Sequence, residues 1–172
     1  MPEAAKKKKR VLVIGTDHAY QRRQDTIPDR KPIRDQFEER LRGVIEEHDV
    51  EVIAEEAGDD TAVWEHLKQE DEACGKLAEL FGGGKTVDAP VPTIAKQIAD
   101  ERPGELEHLD IRAPNAAEMS VEQRDEAMAT KVMEVLGEAD SIVVIVGEDH
   151  RQGVAQRLSE SDLAVKSFHF PE

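Results

Sequence analysis

Ile142-Val143-Val144-Ile145-Val146, followed by Gly147-Glu148-Asp149-His150, reads as a buried strand that ends in a turn and delivers a histidine. The apolar run is too short for a helix and rich in β-branched residues, the signature of a strand covered on both faces. The same pattern stands near the start of the chain, where Val11-Leu12-Val13-Ile14 runs into Gly15-Thr16-Asp17-His18. In an open parallel sheet the carboxyl ends of the strands form the ligand crevice. Two strand-turn-histidine units from opposite ends of the chain are therefore expected to converge on one site.

Between these units, strand and helix signals alternate. Strand one should end at Gly15, and a polar loop through Pro28 and Pro32 follows. Ile33, Phe37, Leu41, Val44 and Ile45 recur at helical spacing and predict an amphipathic helix ending near Asp49. Val50-Glu51-Val52-Ile53-Ala54 predicts the second strand. A helix is expected from Thr61 to Phe81, Gly82-Gly83-Gly84 punctuates the chain, and Pro92 to Arg102 predicts a short helix. Glu105 to Ile111 reads as a further strand, and Pro114-Asn115 marks a loop. Ser120-Val121-Glu122-Gln123 matches a capping box, so a helix starts there and should run to about Gly137. After the strand ending at Gly147 come a helix carrying Val154, Ala155 and Leu158 and a last strand from Leu163 to Phe168. This alternation predicts a three-layer α/β fold with a mostly parallel central sheet and helices on both faces.

Length and charge narrow the function. The 172 residues fit one domain, residues 11–172, preceded by a basic flexible tail, residues 1–10, that contains Lys6-Lys7-Lys8-Lys9-Arg10. A net charge of −15 repels nucleic acid and anionic membranes. A small-molecule or peptide substrate or a metal cation fits better, and the composition leaves room for a homo-oligomer. The single cysteine, Cys74, excludes an internal disulfide and a multi-cysteine zinc site. With no membrane-length apolar run and no signal-like N-terminus, a cytoplasmic location is expected.

Three further residues carry chemistry. Glu55-Glu56 closes the second strand, and because neighbouring strand residues point to opposite faces, either carboxylate can turn into the crevice. Two imidazoles and a carboxylate would suit Mn, Fe, Co or Zn with positions left for water. An exposed strand end is the alternative for the pair. Arg124 falls on the same face as the stripe Val121, Met128, Val132, Val135 of the capped helix, one turn after Val121, so it should be buried and paired with a carboxylate or a substrate anion. The alternative is that its stem carries the guanidinium to water.

Set in order, Gly-x-x-His18, Glu55-Glu56, Gln123-Arg124-Asp125-Glu126-Ala127-Met128 and Val143-Val144-Ile145-Val146-Gly147-x-x-His150-x-x-Gly153-Val154 resemble the TraB/Tiki family, including its GumN and PrgY relatives. The resemblance covers both ends of the chain. The stretch from about Thr61 to Pro114 carries no motif of the family. The family is associated with metal-dependent proteolysis and with peptide-pheromone shutdown. The resemblance implies that His18, Glu55 or Glu56, Arg124 and His150 line the site, with a metal held by His18, His150 and one of the two glutamates, Glu56 by preference, and with Glu55, Glu56 and Arg124 as candidate catalytic groups. Asp17 and Asp149 stand where smaller residues are usual; they are expected either to support the histidines from behind or to alter the site enough to abolish the family activity. A non-catalytic module that binds a small ligand in the same crevice is the competing expectation.

Other motifs carry less. Gly82-Gly83-Gly84-Lys85-Thr86 ends like a phosphate-binding loop but has Glu79 where the first glycine is required. No Gly-x-Ser-x-Gly elbow is present. Cys74 reads as a structural thiol and His48 as packing at a helix end, while His66, His108 and His169 show no partner pattern.

Overall fold

The computed structural model describes residues 7–21, 31–56 and 93–172. Among them, five strands form one sheet: β1 (Arg10–Thr16), β2 (Val52–Glu55), β3 (Glu107–Asp110), β4 (Ser141–Gly147) and β5 (Ala164–His169). Their order is β3-β2-β4-β1-β5, and every neighbouring pair is parallel. Four helices among the described residues accompany them: α1 (Lys31–Glu47), α2 (Ile94–Asp100), α3 (Val121–Val135) and α4 (Glu148–Ser159). Short 3-10 turns lie at His18–Tyr20 and Ala116–Glu118.

Strand alternation sorts the core into two layers. Val11, Val13, Ile142, Val144 and Val146 pack with Met128 and Val132 of α3 and with Val154 and Leu158 of α4. Ile14, Val143 and Ile145 face the other way, onto Phe37 and Leu41 of α1 and Ile94 and Ile98 of α2. The fold is α/β, with helices on both sides of a parallel sheet. Every residue of β4 is buried, which is why its sequence is a continuous apolar run rather than an alternating one. Each such side chain contributes about 1.5–3 kcal/mol by leaving water. Arg42 ties α1 to α2 by a fork onto Glu101 at 2.7 and 2.9 Å, and Glu38 accepts from the same group. These two carboxylates hold the guanidinium still further above its ordinary range.

The element boundaries differ from the sequence reading in informative ways. The helix expected from Ile33 begins at Lys31, and the second strand starts at Val52 and takes in Glu55. The capping box is present: the Ser120 hydroxyl accepts from the Gln123 backbone N–H at 3.2 Å, and the Gln123 amide oxygen accepts from the Ser120 N–H at 3.0 Å. Val121, however, is 46% exposed and does not belong to the core stripe. The stripe is instead Asp125, Met128, Ala129 and Val132, and the first turn, Val121 to Gln123, is exposed. The basic run is not a free tail up to its last residue. Arg10 opens β1, and the Lys9 ammonium donates to the Leu136 carbonyl at the C-terminal end of α3. The helix expected over Thr61–Phe81, the triple glycine and Cys74 lie outside the described residues. No helix among the described residues is long and apolar enough to cross a membrane.

The topology places a crevice. β4 lies between β1 and β2, so the two histidine strands are neighbours and the glutamate strand flanks them. The helix that follows β1 packs on one face of the sheet, and the helix that follows β4 packs on the other. In open α/β sheets a cleft opens where successive connections leave in opposite directions.

Candidate functional site

Gly147 and Thr16 are register partners at the ends of β4 and β1. Beyond β1 the chain folds at once into the 3-10 turn that carries His18. Beyond β4 it enters α4, with Gly147 as the N-cap and His150 in the first turn. Gly147 also allows His18 to come close: a Cβ there would lie 3.0 Å from the ring Nε2 and 3.6 Å from Glu56 Oε2.

The two adjacent glutamates part company. Glu55, the last residue of β2, follows Ile53 onto the α1 and α2 side. Glu56, one residue past the strand, reaches the residues of α3 and α4. Both are essentially inaccessible, at 0% and 1% exposure, so the exposed-strand-end alternative fails. Glu56 Oε1 accepts from Arg124 Nη2 at 2.9 Å, and Glu56 Oε2 accepts from the Gly147 N–H at 3.0 Å. The N-terminus of α4 favours negative charge at this point.

Both histidines aim at this one carboxylate. His18 Nε2 is 3.9 Å from Glu56 Oε2, and His150 Nε2 is 3.7 Å from Glu56 Oε1. These separations are too long for direct hydrogen bonds and of the size that an intervening atom spans. At the far side of each ring the Nδ1 is held, by Gln21 Oε1 at 2.6 Å for His18 and by Asp125 Oδ1 at 2.6 Å for His150. Asp125 is 4% exposed, with Arg157 Nη1 3.8 Å from its other oxygen. Thr16 Oγ1 and Arg124 Nε are buried without a hydrogen-bond partner among the described residues.

His18, Glu56, Arg124 and His150 are thus brought together. Arg124 is paired with Glu56 as expected, but its side chain keeps 25% of its exposure and lies at the rim rather than in the core. Glu55 is drawn away from the crevice onto Thr93, His108 and Gln21. Asp17 and Asp149 are exposed, and the side chains that back the rings are Gln21 and Asp125. His108 has a partner after all: its Nε2 lies 2.6 Å from Glu55 Oε2. His169 likewise meets Glu148 Oε2, at 2.8 Å. A cleft of about 890 Å³ runs along β3 and reaches His108, but neither His18, Glu56 nor His150 lines it. Among the described residues no three His, Cys, Asp or Glu side chains stand gathered as a complete metal-ligand set.

Glu148, the first residue of α4, is held below the ordinary carboxylate range by its hydrogen bonds from Arg151, with His169 adding to the effect against partial burial. A carboxylate with a lowered folded value contributes stability that is present above its ordinary value of 4.5 and is lost as pH falls through the folded value. Glu148→Gln is therefore expected to lower the thermal midpoint at neutral pH. The difference from wild type should fade in acid, and a series of melts from neutral pH downward checks it; a constant difference would deny the linkage.

No family model matches the chain, and no curated protein or solved structure is significantly similar to it.

Proposed function

We propose that the protein is a TraB/Tiki-type hydrolase that opens a peptide or a related amide or ester at the C-terminal crevice with the help of a divalent metal. The observation that carries this reading is the aim of two clamped imidazoles at the two oxygens of one buried carboxylate. A ring whose Nδ1 is tied to an acceptor offers its Nε2 lone pair, and such backing is the usual support of a metal-binding histidine. The donor types suit Mn, Fe, Co or Zn, although the three side chains do not stand gathered as a complete ligand set: His18 and His150 would hold the ion through Nε2, with Glu56 as the oxygen ligand. The ion would supply a water made nucleophilic near neutral pH.

The chain's own groups have distinct tasks. Gln21 and Asp125 keep the rings in place. Arg124 spends Nη2 on Glu56 while its side chain keeps 25% exposure, so the rest of its guanidinium supplies a donor for the oxygen that gains charge when the carbonyl is attacked. The orphaned Thr16 hydroxyl, on the strand end beside Gly147, supplies a hydrogen bond to water or substrate. Glu56 would hold the ion through one oxygen only and leave Oε2, the oxygen that faces His18, to receive the proton of the attacking water.

A second reading, a binding module without turnover, draws on the fact that both Glu56 oxygens already accept hydrogen bonds. One experiment separates the two. Mn, Co or Zn added to metal-stripped protein at about a hundred times Kd should stabilise the native state by about 2.7 kcal/mol. For a chain of this size that raises the midpoint by roughly 5–10 °C. The same addition should switch on hydrolysis across a panel of peptides and esters, and His18→Ala or His150→Ala should remove both effects. Stabilisation without turnover supports the binding module. Neither effect, with several ions tried, removes the metal from the proposal.

A further inference from the structure

Glu55 does not touch either oxygen of the Glu56 site, yet it is completely buried and accepts from three separate segments. Gln21 Nε2 donates to its Oε1 at 3.1 Å, and Thr93 Oγ1 and His108 Nε2 approach its Oε2 at 2.6 Å each. The directions of these bonds are fixed by chemistry. Thr93 caps α2, and its hydroxyl already accepts the Lys96 backbone N–H at 3.1 Å, so its one proton goes to Glu55. A carboxylate oxygen accepts only, so the Gln21 group that faces Glu55 must be the amino group. The amide oxygen of Gln21 is then left facing His18 Nδ1 at 2.6 Å, and an amide oxygen can only accept.

We propose that Glu55 and Gln21 act as a positioning pair that fixes the proton of neutral His18 on Nδ1 and leaves its Nε2 lone pair facing Glu56. Glu55 sets the turn of the Gln21 amide, and the amide sets the tautomer. The α1 and α2 side of the sheet thereby controls a ring in the crevice through one side chain. Asp125 performs the same service for His150 directly from α3. The carboxylate pair is divided in role: Glu56 faces the reacting space, and Glu55 governs it at one remove. The inference concerns how His18 is held and is independent of metal binding and of turnover.

The test is a nitrogen–proton correlation spectrum of the histidine rings in the full chain, metal-stripped, labelled with 15N and held at alkaline pH, with peaks assigned by single histidine replacements. Wild-type His18 is expected to carry its proton on Nδ1, the minor form of free imidazole. His108, which donates from Nε2 to Glu55, should show the opposite form and serves as an internal reference. Gln21→Leu should return His18 to the ordinary Nε2-protonated form while the His150 and His108 signals stay in place. Those two signals report that the variant is folded. A wild-type His18 ring protonated on Nε2 overturns the proposal by itself, with no variant needed. So does a folded Gln21→Leu protein whose His18 keeps its proton on Nδ1.

Discussion

Gly153→Ala should destabilise the protein, although alanine is the better helix former. Gly153 lies inside α4, where exchange of glycine for alanine ordinarily gains about 1 kcal/mol. Here a Cβ would stand 1.9 Å from Asp125 Oδ2 and 2.7 Å from its Cγ. Asp125 is short and buried and gives its other oxygen to His150, so it cannot swing aside without losing that bond. Overpacking of this kind costs about 1–3 kcal/mol, and a hydrogen bond to a charged group is worth about 1.5–3 kcal/mol. The net loss should be about 2–3 kcal/mol, read as a fall of roughly 4–12 °C in the thermal midpoint. Combination with Asp125→Ala is the decisive control. Once the carboxylate is gone the added methyl meets only Arg157 Nη1, 3.3 Å away at the end of a flexible side chain, and Gly153→Ala should become neutral or stabilising in that background. A stabilising effect in the wild-type background would show that Asp125 is not held where the His150 support requires it.

The glycines explain why the site could be read only in part from the chain. Gly15 and Gly147 were legible as the ends of strands, because β-branched runs stop at them. Their second purpose was not, since Gly147 leaves space for His18 across most of the chain's length and Gly15 leaves space for Glu148 and Arg151. Each repeat thus makes room for the other, which no local pattern expresses. The same holds for the carboxylates. Alternation states that Glu55 and Glu56 part, but which of them faces the crevice depends on β2 ending at Glu55, a boundary set by pairing with β3 and β4.

The supports of the rings were missed for a related reason. Gln21, Thr93 and His108 are polar residues with partners far along the chain, and each alone resembles solvated surface. Asp125 did carry a signal. It stands three, four and seven residues before the buried Met128, Ala129 and Val132, so a carboxylate falls on the apolar face of α3. The inclusion of Val121 in that stripe hid it, because a residue at the first helical position can overhang the sheet and remain in water.

Arg124→Met should be the other large effect, and it bears on the site itself. Glu56 is 1% exposed and, among the described residues, would keep only the Gly147 N–H as a donor. To break a buried pair by removal of one partner costs about 3–5 kcal/mol, because the remaining charge is left without compensation. Arg124 is 25% exposed on its side chain, so water can partly replace it, and the loss should fall near the lower end, about 3 kcal/mol. The expected fall in midpoint is roughly 6–12 °C. Glu56→Gln in the same chain should recover much of it, since the amide leaves no charge to compensate. If the loss came instead from the packing of the arginine stem on α3, the double variant would be no better than Arg124→Met alone. An unchanged midpoint in the single variant would mean that the Glu56 carboxylate is sustained by the α4 N-terminus without the guanidinium. Arg124 would then be free to act on substrate alone, and Arg124→Lys, which keeps the charge but not the fork, would preserve stability and separate binding from catalysis.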